Sequence, residues 1–249
     1  MLGRTREEAL RPTAAIAAFL VTVLMLTACG DDPGVAGGNG VVVATVGPTE
    51  TPTAPSSSAT TPNNGTAELH GFVFPVAGAC LHRGDQLMPN AARDYRNGIH
   101  EGIDFYGADS CTAVARGTPV VAVKAGRVVR ADRDYRDMTR AELDFYLANP
   151  NTEEALDKFR GRQVWIDHGG GVLSRYAHLE GIATGLAQGT QVSQGQVIAY
   201  VGESGTPESL TAPGSEYHLH FELRVGDSYL GRSLAAAEVR RLYETLFSP

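Results

Sequence analysis

From Leu69 to Val225 the apolar positions fall in short runs rich in β-branched residues, the pattern of strands with one buried face. Pro119 to Val123 and Arg127 to Ala131 are split by Ala125-Gly126, and Gln163 to Asp167 and Gly171 to Ala177 are split around Gly169-Gly170. This spacing predicts two hairpins. Val197 to Val201 and His218 to Val225 continue the series. Between the second and third strands the period changes. Thr139-Arg140-Ala141-Glu142 and Asn151-Thr152-Glu153-Glu154 each place a capping residue three positions before a Glu, predicting helices over about 139–148 and 152–159. Ser233 to Phe247, with Leu234, Val239, Leu242 and Leu246 near helical spacing, predicts a closing helix over about 233–247. Gly117-Thr118-Pro119-Val120 echoes Gly189-Thr190-Gln191-Val192, a hint of a duplicated β unit. The folded part is therefore expected to be mainly β, with a helical insertion over about 132–160 and a C-terminal helix.

The first 66 residues read differently. Arg4, Arg6 and Arg11 precede an uncharged apolar run from Ala14 to Ala28, shorter than the ~20 residues of a spanning helix, which reads as a signal peptide over 1–28. Its end, Leu26-Thr27-Ala28-Cys29, resembles the bacterial lipoprotein box, in which the Cys is lipidated and becomes the mature N-terminus. The resemblance implies an exported protein anchored to the membrane through Cys29 and facing the cell wall. Residues 30–66 are rich in Pro, Gly, Thr, Ser and Asn and cannot bury a core, so 29–66 reads as a flexible tether and 67–249 as the folded domain. The net charge of −7 gives no general field that would attract nucleic acid. Three Cys with no C-x-x-C pair exclude a Cys-rich zinc finger, leaving His and carboxylate as metal donors.

His100-Glu101-Gly102-Ile103-Asp104 puts a His and an Asp four apart, and extended backbone returns both to one side. His218-Leu219-His220 sets two imidazoles roughly 7 Å apart along one strand face, so that one can bind a metal while the other stands beside it. One His, one Asp and a second His make an open zinc site with a position left for a nucleophile. Spacing does not choose between His218 and His220. A helical His-Glu-x-x-His site is excluded, because Gly102 and Asp104 follow His100-Glu101. Glu101 and Glu222 are read as pointing to the opposite strand face from the ligands, as solvated or outer carboxylates. His70, His82 and His168 are read as structural or surface, and Trp165 as core.

In order, His100-Glu101-Gly102-Ile103-Asp104-Phe105, Gly117-Thr118-Pro119-Val120-Val121-Ala122-Val123, Val164-Trp165-Ile166-Asp167-His168-Gly169, Tyr176-Ala177-His178-Leu179, Gly195-Gln196-Val197-Ile198 and His218-Leu219-His220-Phe221-Glu222-Leu223 closely resemble the lysostaphin-type zinc endopeptidases of bacterial cell-wall turnover. The resemblance runs from about Phe72 to Val225. It implies a compact antiparallel β-sandwich with a groove across a sheet, one Zn2+ per chain, and cleavage of peptide bonds in peptidoglycan stem peptides or cross-bridges. Carried over by motif, His100, Asp104 and His220 would hold zinc, and His178 and His218 would flank the attacking water. Relatives often carry Gly-Pro before His-x-His, where this chain has Glu216-Tyr217 after a Ser/Thr/Pro/Gly-rich loop, Gly205 to Ser215, expected to rim the groove. The alternative is a catalytically silent domain of the same fold that binds wall or regulates another hydrolase. Retention of all three ligands and both accessory histidines favours the enzyme.

Export bears on the remaining thiols. With Cys29 lipidated, Cys80 and Cys111 are left in a compartment where thiols stay oxidised, and a bond between them would bracket the His100–Asp104 segment. Closing that loop is worth roughly 3–4 kcal/mol from chain entropy.

Overall fold

The structure, a computed structural model, describes residues 69–249. The expected signal peptide, Cys29 and the tether lie outside the described residues. In chain order the domain runs through β1 (Ala92–Arg93), β2 (Gly98–Ile99), β3 (Ile103–Phe105), β4 (Pro119–Val121), β5 (Gly126–Ala131), helices α1 (Arg140–Ala148) and α2 (Glu153–Arg160), β6 (Val164–Asp167), β7 (Val172–Ala177), β8 (Leu179–Ile182), β9 (Gln191–Val192), β10 (Val197–Val201), α3 (Glu208–Thr211), β11 (Leu219–Val225), β12 (Ser228–Tyr229) and α4 (Ala236–Leu246). It is a mainly β, antiparallel fold. The larger sheet has the order β12-β11-β7-β6-β5-β9, and β3 joins it by pairing with β11; a smaller sheet has the order β4-β10-β8.

One core serves both sheets. Val120, Ile198 and Val201 from the smaller meet Val128, Ile166, Tyr176 and Phe221 from the larger, and α4 adds Val239, Tyr243 and Leu246. Burial of these side chains drives the fold, at about 1.5–3 kcal/mol for each large one. The Tyr176 hydroxyl stays satisfied inside this core by accepting from the Val123 amide (2.9 Å). β11 is buried on both faces for different reasons. Leu219, Phe221 and Leu223 face the core, while His220 and Glu222 alternate onto the side that carries the chemistry.

The predicted hairpin from Gln163 to Ala177 forms as β6 and β7, with Val164 opposite Tyr176 and Asp167 opposite Leu173. The one predicted from Pro119 to Ala131 does not. β4 pairs with β10 and β5 with β6 and β9, so the chain passes from one sheet to the other around Ala125. A Gly-containing break marks a change of direction, and a sheet crossing needs that as much as a hairpin does. The echoed tetrapeptides are one turn built twice. Thr118 Oγ1 accepts from the Ala115 amide (3.0 Å) and Thr190 Oγ1 from the Ala187 amide (3.1 Å), each with a positive-φ glycine just before the Thr.

Thr139 and Glu142 form the expected capping box of α1. α2 is capped one residue later than predicted, by Thr152 accepting from the Ala155 amide, because the hydroxyl reaches the third amide along where Asn151 would miss it. The two helices share a small core of Met138, Leu143, Tyr146, Ala155 and Phe159. α4 starts three residues after Ser233, which sits at φ +63° and cannot begin a right-handed helix. Trp165 is not core. It lies half-buried on the outer face of β6 with Arg175 (3.9 Å) and Arg130 (4.8 Å) over its ring, the opposite phase of the strand alternation from the one expected. Cys80 and Cys111 are joined by a disulfide, their Cα atoms 5.5 Å apart. No helix among the described residues is long and apolar enough to cross a membrane.

Candidate active site

Strand register assembles the site. β3 lies antiparallel to β11 with Asp104 directly opposite His220, and His100, four residues earlier, comes round to the same side. Gly102 makes this approach possible. A Cβ there would stand 2.3 Å from the Phe221 carbonyl oxygen and 3.0 Å from His220 Cε1, so any side chain would force β3 off β11. As a result His100 Nε2 and Asp104 Oδ1 are 3.0 Å apart, His220 Nδ1 and Asp104 Oδ1 2.8 Å, and the two ring nitrogens 3.0 Å. All three residues are buried and their donor atoms converge on one point.

The chemistry of that point follows from where the ring protons sit. His100 Nδ1 donates to the Met88 carbonyl (3.1 Å) and His220 Nε2 donates to Glu222 Oε1 (3.1 Å). Each neutral imidazole has one N–H, so His100 Nε2 and His220 Nδ1 are bare lone pairs facing the carboxylate and each other. Three acceptors meet with no proton among them, and a metal cation satisfies all three at once. Two imidazole nitrogens and one carboxylate oxygen, with a position left open, are the donor set of a hydrolytic zinc site. Asp104 Oδ2 accepts from Arg93 Nη2 (2.8 Å), which fixes the carboxylate with Oδ1 turned inward. Burial lowers the His100 pKa to about 4 despite Asp104. For Asp104, burial alone would raise the pKa, but His100 and His220 hold it well below the usual carboxylate range. His220 goes the other way: burial lowers its pKa, and the carboxylates of Asp104 and Glu222 beside its ring outweigh that and raise it. The centre therefore draws positive charge.

Glu222 corrects the expectation that it points away from the ligands. Two residues after His220 on one strand, it shares the ligand's face, and it is fully buried. It accepts from His220 Nε2, from Arg160 Nε (2.6 Å) and from Arg224 Nη1 (3.1 Å). Glu101 accepts from Arg160 Nη2 (2.7 Å) and Arg224 Nη1 (3.1 Å). Arg160 is the last residue of α2, so the helical insertion is hydrogen-bonded into the site. Sequence reading missed Arg93 and Arg160, which belong to no motif. The signal that finds them is physical: a buried carboxylate beside a ligand needs cations around it.

His178 and His218 stand next to the three converging donors. His178 follows β7 at φ +58°, its amide donating to the Arg160 carbonyl (2.9 Å) and its Nδ1 to the Ser204 carbonyl (2.9 Å). The chain at Gly161 passes so close to that Ser204 carbonyl that a Cβ would lie 2.1 Å from it. His218 Nδ1 donates to the Glu216 carbonyl (2.7 Å), and its ring stacks on Tyr106 at 4.3 Å, whose hydroxyl donates to Glu216 Oε2 (2.7 Å). Both rings keep Nε2 as an acceptor, with ring centres 4.5 Å apart. His218 Nε2 lies 3.9 Å from Asp104 Oδ1 against 2.8 Å for His220, so the structure groups His220 with the donor cluster and leaves His218 beside it. Burial lowers the pKa of both His178 and His218, helped in His178 by its histidine neighbours, so both rings are neutral at pH 7.

These groups line a cleft of about 530 Å³. Its lining includes Tyr95, Arg96, Leu147, Leu156 and Phe159 together with Thr206 and Pro207, so the Gly205–Ser215 loop does rim the groove. His168 is structural, bonded to the Ala125 carbonyl and Ser174 Oγ, and His82 closes a local turn with Gly84.

Residues 98–231 match peptidase family M23. Among solved structures the chain is similar to a zinc-containing peptidase from Vibrio cholerae, at 22% identity and a TM-score of 0.42 over 65% of this chain and 39% of that one. It is also similar to the catalytic domain of the antimicrobial peptidase lysostaphin from Staphylococcus simulans, at 22% identity and a TM-score of 0.33 over 57% and 74%. A third is the catalytic domain of the prophage-encoded M23 protein EnpA from Enterococcus faecalis, at 21% identity and a TM-score of 0.36 over 61% and 93%. The chain thus spans well under half the length of the Vibrio cholerae protein. No curated protein sequence matches it.

Proposed function

The chain belongs to peptidase family M23, and from that premise we propose that it is a zinc-dependent endopeptidase cutting peptide bonds in bacterial peptidoglycan, exported and anchored to the membrane by a lipid on Cys29. The observation that carries the peptidase reading is the meeting of three proton-free acceptors from His100, Asp104 and His220 beside two neutral imidazoles. Zinc held there would supply Lewis acidity to the scissile carbonyl and to the attacking water. His178 and His218, each with Nδ1–H tied to a carbonyl, present Nε2 to take the proton from that water. The same nitrogen, once protonated, can donate to the leaving amine or to the carbonyl oxygen as it gains charge. Arg93 holds Asp104, and Glu222 holds His220 in the tautomer that turns Nδ1 inward. The Cys80–Cys111 disulfide supports export to an oxidising compartment.

The test is mass spectrometry of muropeptides after incubating the protein with purified peptidoglycan, with and without chelator. New peptide ends that disappear with chelator and return with added zinc are expected. An intact wall at full zinc loading would favour the silent wall-binding reading instead.

A further inference from the structure

Arg96 is 8% exposed, yet its guanidinium makes one hydrogen bond, from Nη2 to the Ile99 carbonyl (2.5 Å), and faces no carboxylate partner among the described residues. The other arginines around the centre are all paired: Arg93 with Asp104, Arg160 with Glu222 and Glu101, Arg224 with Glu101 and Glu222. A buried guanidinium without an anion carries a desolvation cost that a partner would offset. Arg96 lines the catalytic cleft beside Leu147, Leu156 and Phe159, the apolar wall supplied by the helical insertion.

We propose that Arg96 and this wall form a subsite that takes a free carboxylate of the peptide substrate, with the aliphatic chain that bears it lying along Leu147, Leu156 and Phe159. The inference rests on the peptidase reading and names what that site selects. A single planar guanidinium fork matches one carboxylate in bidentate geometry. Glu101, Glu208 and Glu216 line the same cleft and oppose a more highly charged group such as a phosphate. Nη2 bonds Ile99 and Nη1 packs on Gly98 beside Asn151, so this local structural role leaves Nε and the second Nη2 hydrogen for a ligand.

Two matched pairs of synthetic stem peptides test this, one pair differing in a terminal α-carboxylate against its amide, the other in a side-chain carboxylate against its amide. Binding is read by calorimetry on single-stem peptides, which contain no cross-link to cut, and hydrolysis by kcat and KM on their cross-linked forms, using the zinc-loaded full chain. The wild type should bind the acid of one pair about tenfold to a hundredfold tighter than its amide, the value of a hydrogen-bonded charge pair, and the responding pair identifies which carboxylate is read. Arg96→Gln should bind acid and amide alike, with KM for the acid raised towards that for the amide and zinc content retained. Arg96→Lys should keep part of the preference. A wild type indifferent to both pairs would overturn the subsite, as would an Arg96→Gln protein that keeps the preference. The wild-type comparison decides the matter even if Arg96→Gln fails to fold. Discrimination in binding without cleavage of any peptide would leave the subsite standing and remove the peptidase reading.

Discussion

His100, His178, His218 and His220 meet in one cleft, and what each can do is set by where its ring protons are held. Strand alternation in the sequence points to His100, His218 and His220, while His178 and the choice of His220 over His218 as a donor came only from the family motif. The direction of Glu222, and the parts played by Arg93 and Arg160, were not legible there, since they depend on chains distant in sequence coming together. The buried rings make a pH prediction whose sign can be worked out. His100, His178 and His218 have folded pKa values below the unfolded value near 6.5, His100 at about 4. The unfolded chain therefore binds more protons, and stability falls as pH drops below about 6.5, by ~1.4 kcal/mol per pH unit for each such histidine until its folded pKa is reached. His220, with a raised pKa, has the opposite sign: its contribution is complete below about 6.5 and is lost as pH rises through its folded value. Burial lowers the pKa of His168 as well, so four outweigh one and the melting temperature of chelated protein should fall between pH 7 and pH 5. A melting temperature that held level or rose over that range would contradict the neutral assignment of these rings. Because His178 and His218 stay neutral below their usual range, the acid limb of kcat should also lie below pH 6.5.

At the level of strands and helices, the fold was readable where an element is long enough to show a period. The β6–β7 hairpin, β10, β11, both insertion helices and α4 all were. β1, β2 and β12 have two residues each, too few to carry a pattern, and the crossing at Ala125 looks locally like a hairpin. The pairing of β3 with β11 is the element-scale event on which the donor cluster depends, and Gly102 is its weak point. Gly102→Ala sets a methyl against the Phe221 backbone carbonyl, which cannot swing aside as a side chain would. Overpacking of about 1–3 kcal/mol is expected, together with loss of bound zinc as Asp104 moves away from His220. Thermal melts and metal analysis of the variant check both. Full zinc content at wild-type stability would show that the close approach of β3 to β11 is not required.

Over the whole molecule, the Cys80–Cys111 bond closes 31 positions of chain that contain His100 and Asp104. Replacing both with Ser should cost roughly 3–4 kcal/mol, read from denaturant unfolding, and an unchanged midpoint would show the crosslink to be energetically idle. Cys29→Ser should shift the protein from the membrane fraction to the soluble one, and retention would point to another mode of attachment. A metal held by His100, Asp104 and His220, with His178 and His218 working beside it, makes opposite demands on the two histidines of His218-Leu219-His220. Zinc content and peptidoglycan hydrolysis are measured in parallel on His218→Ala and His220→Ala. His220→Ala should have neither zinc nor activity, while His218→Ala should keep about one zinc per chain and lose about 10²–10⁴-fold in turnover. A His220→Ala protein that retains zinc and cuts peptidoglycan would contradict this metal site.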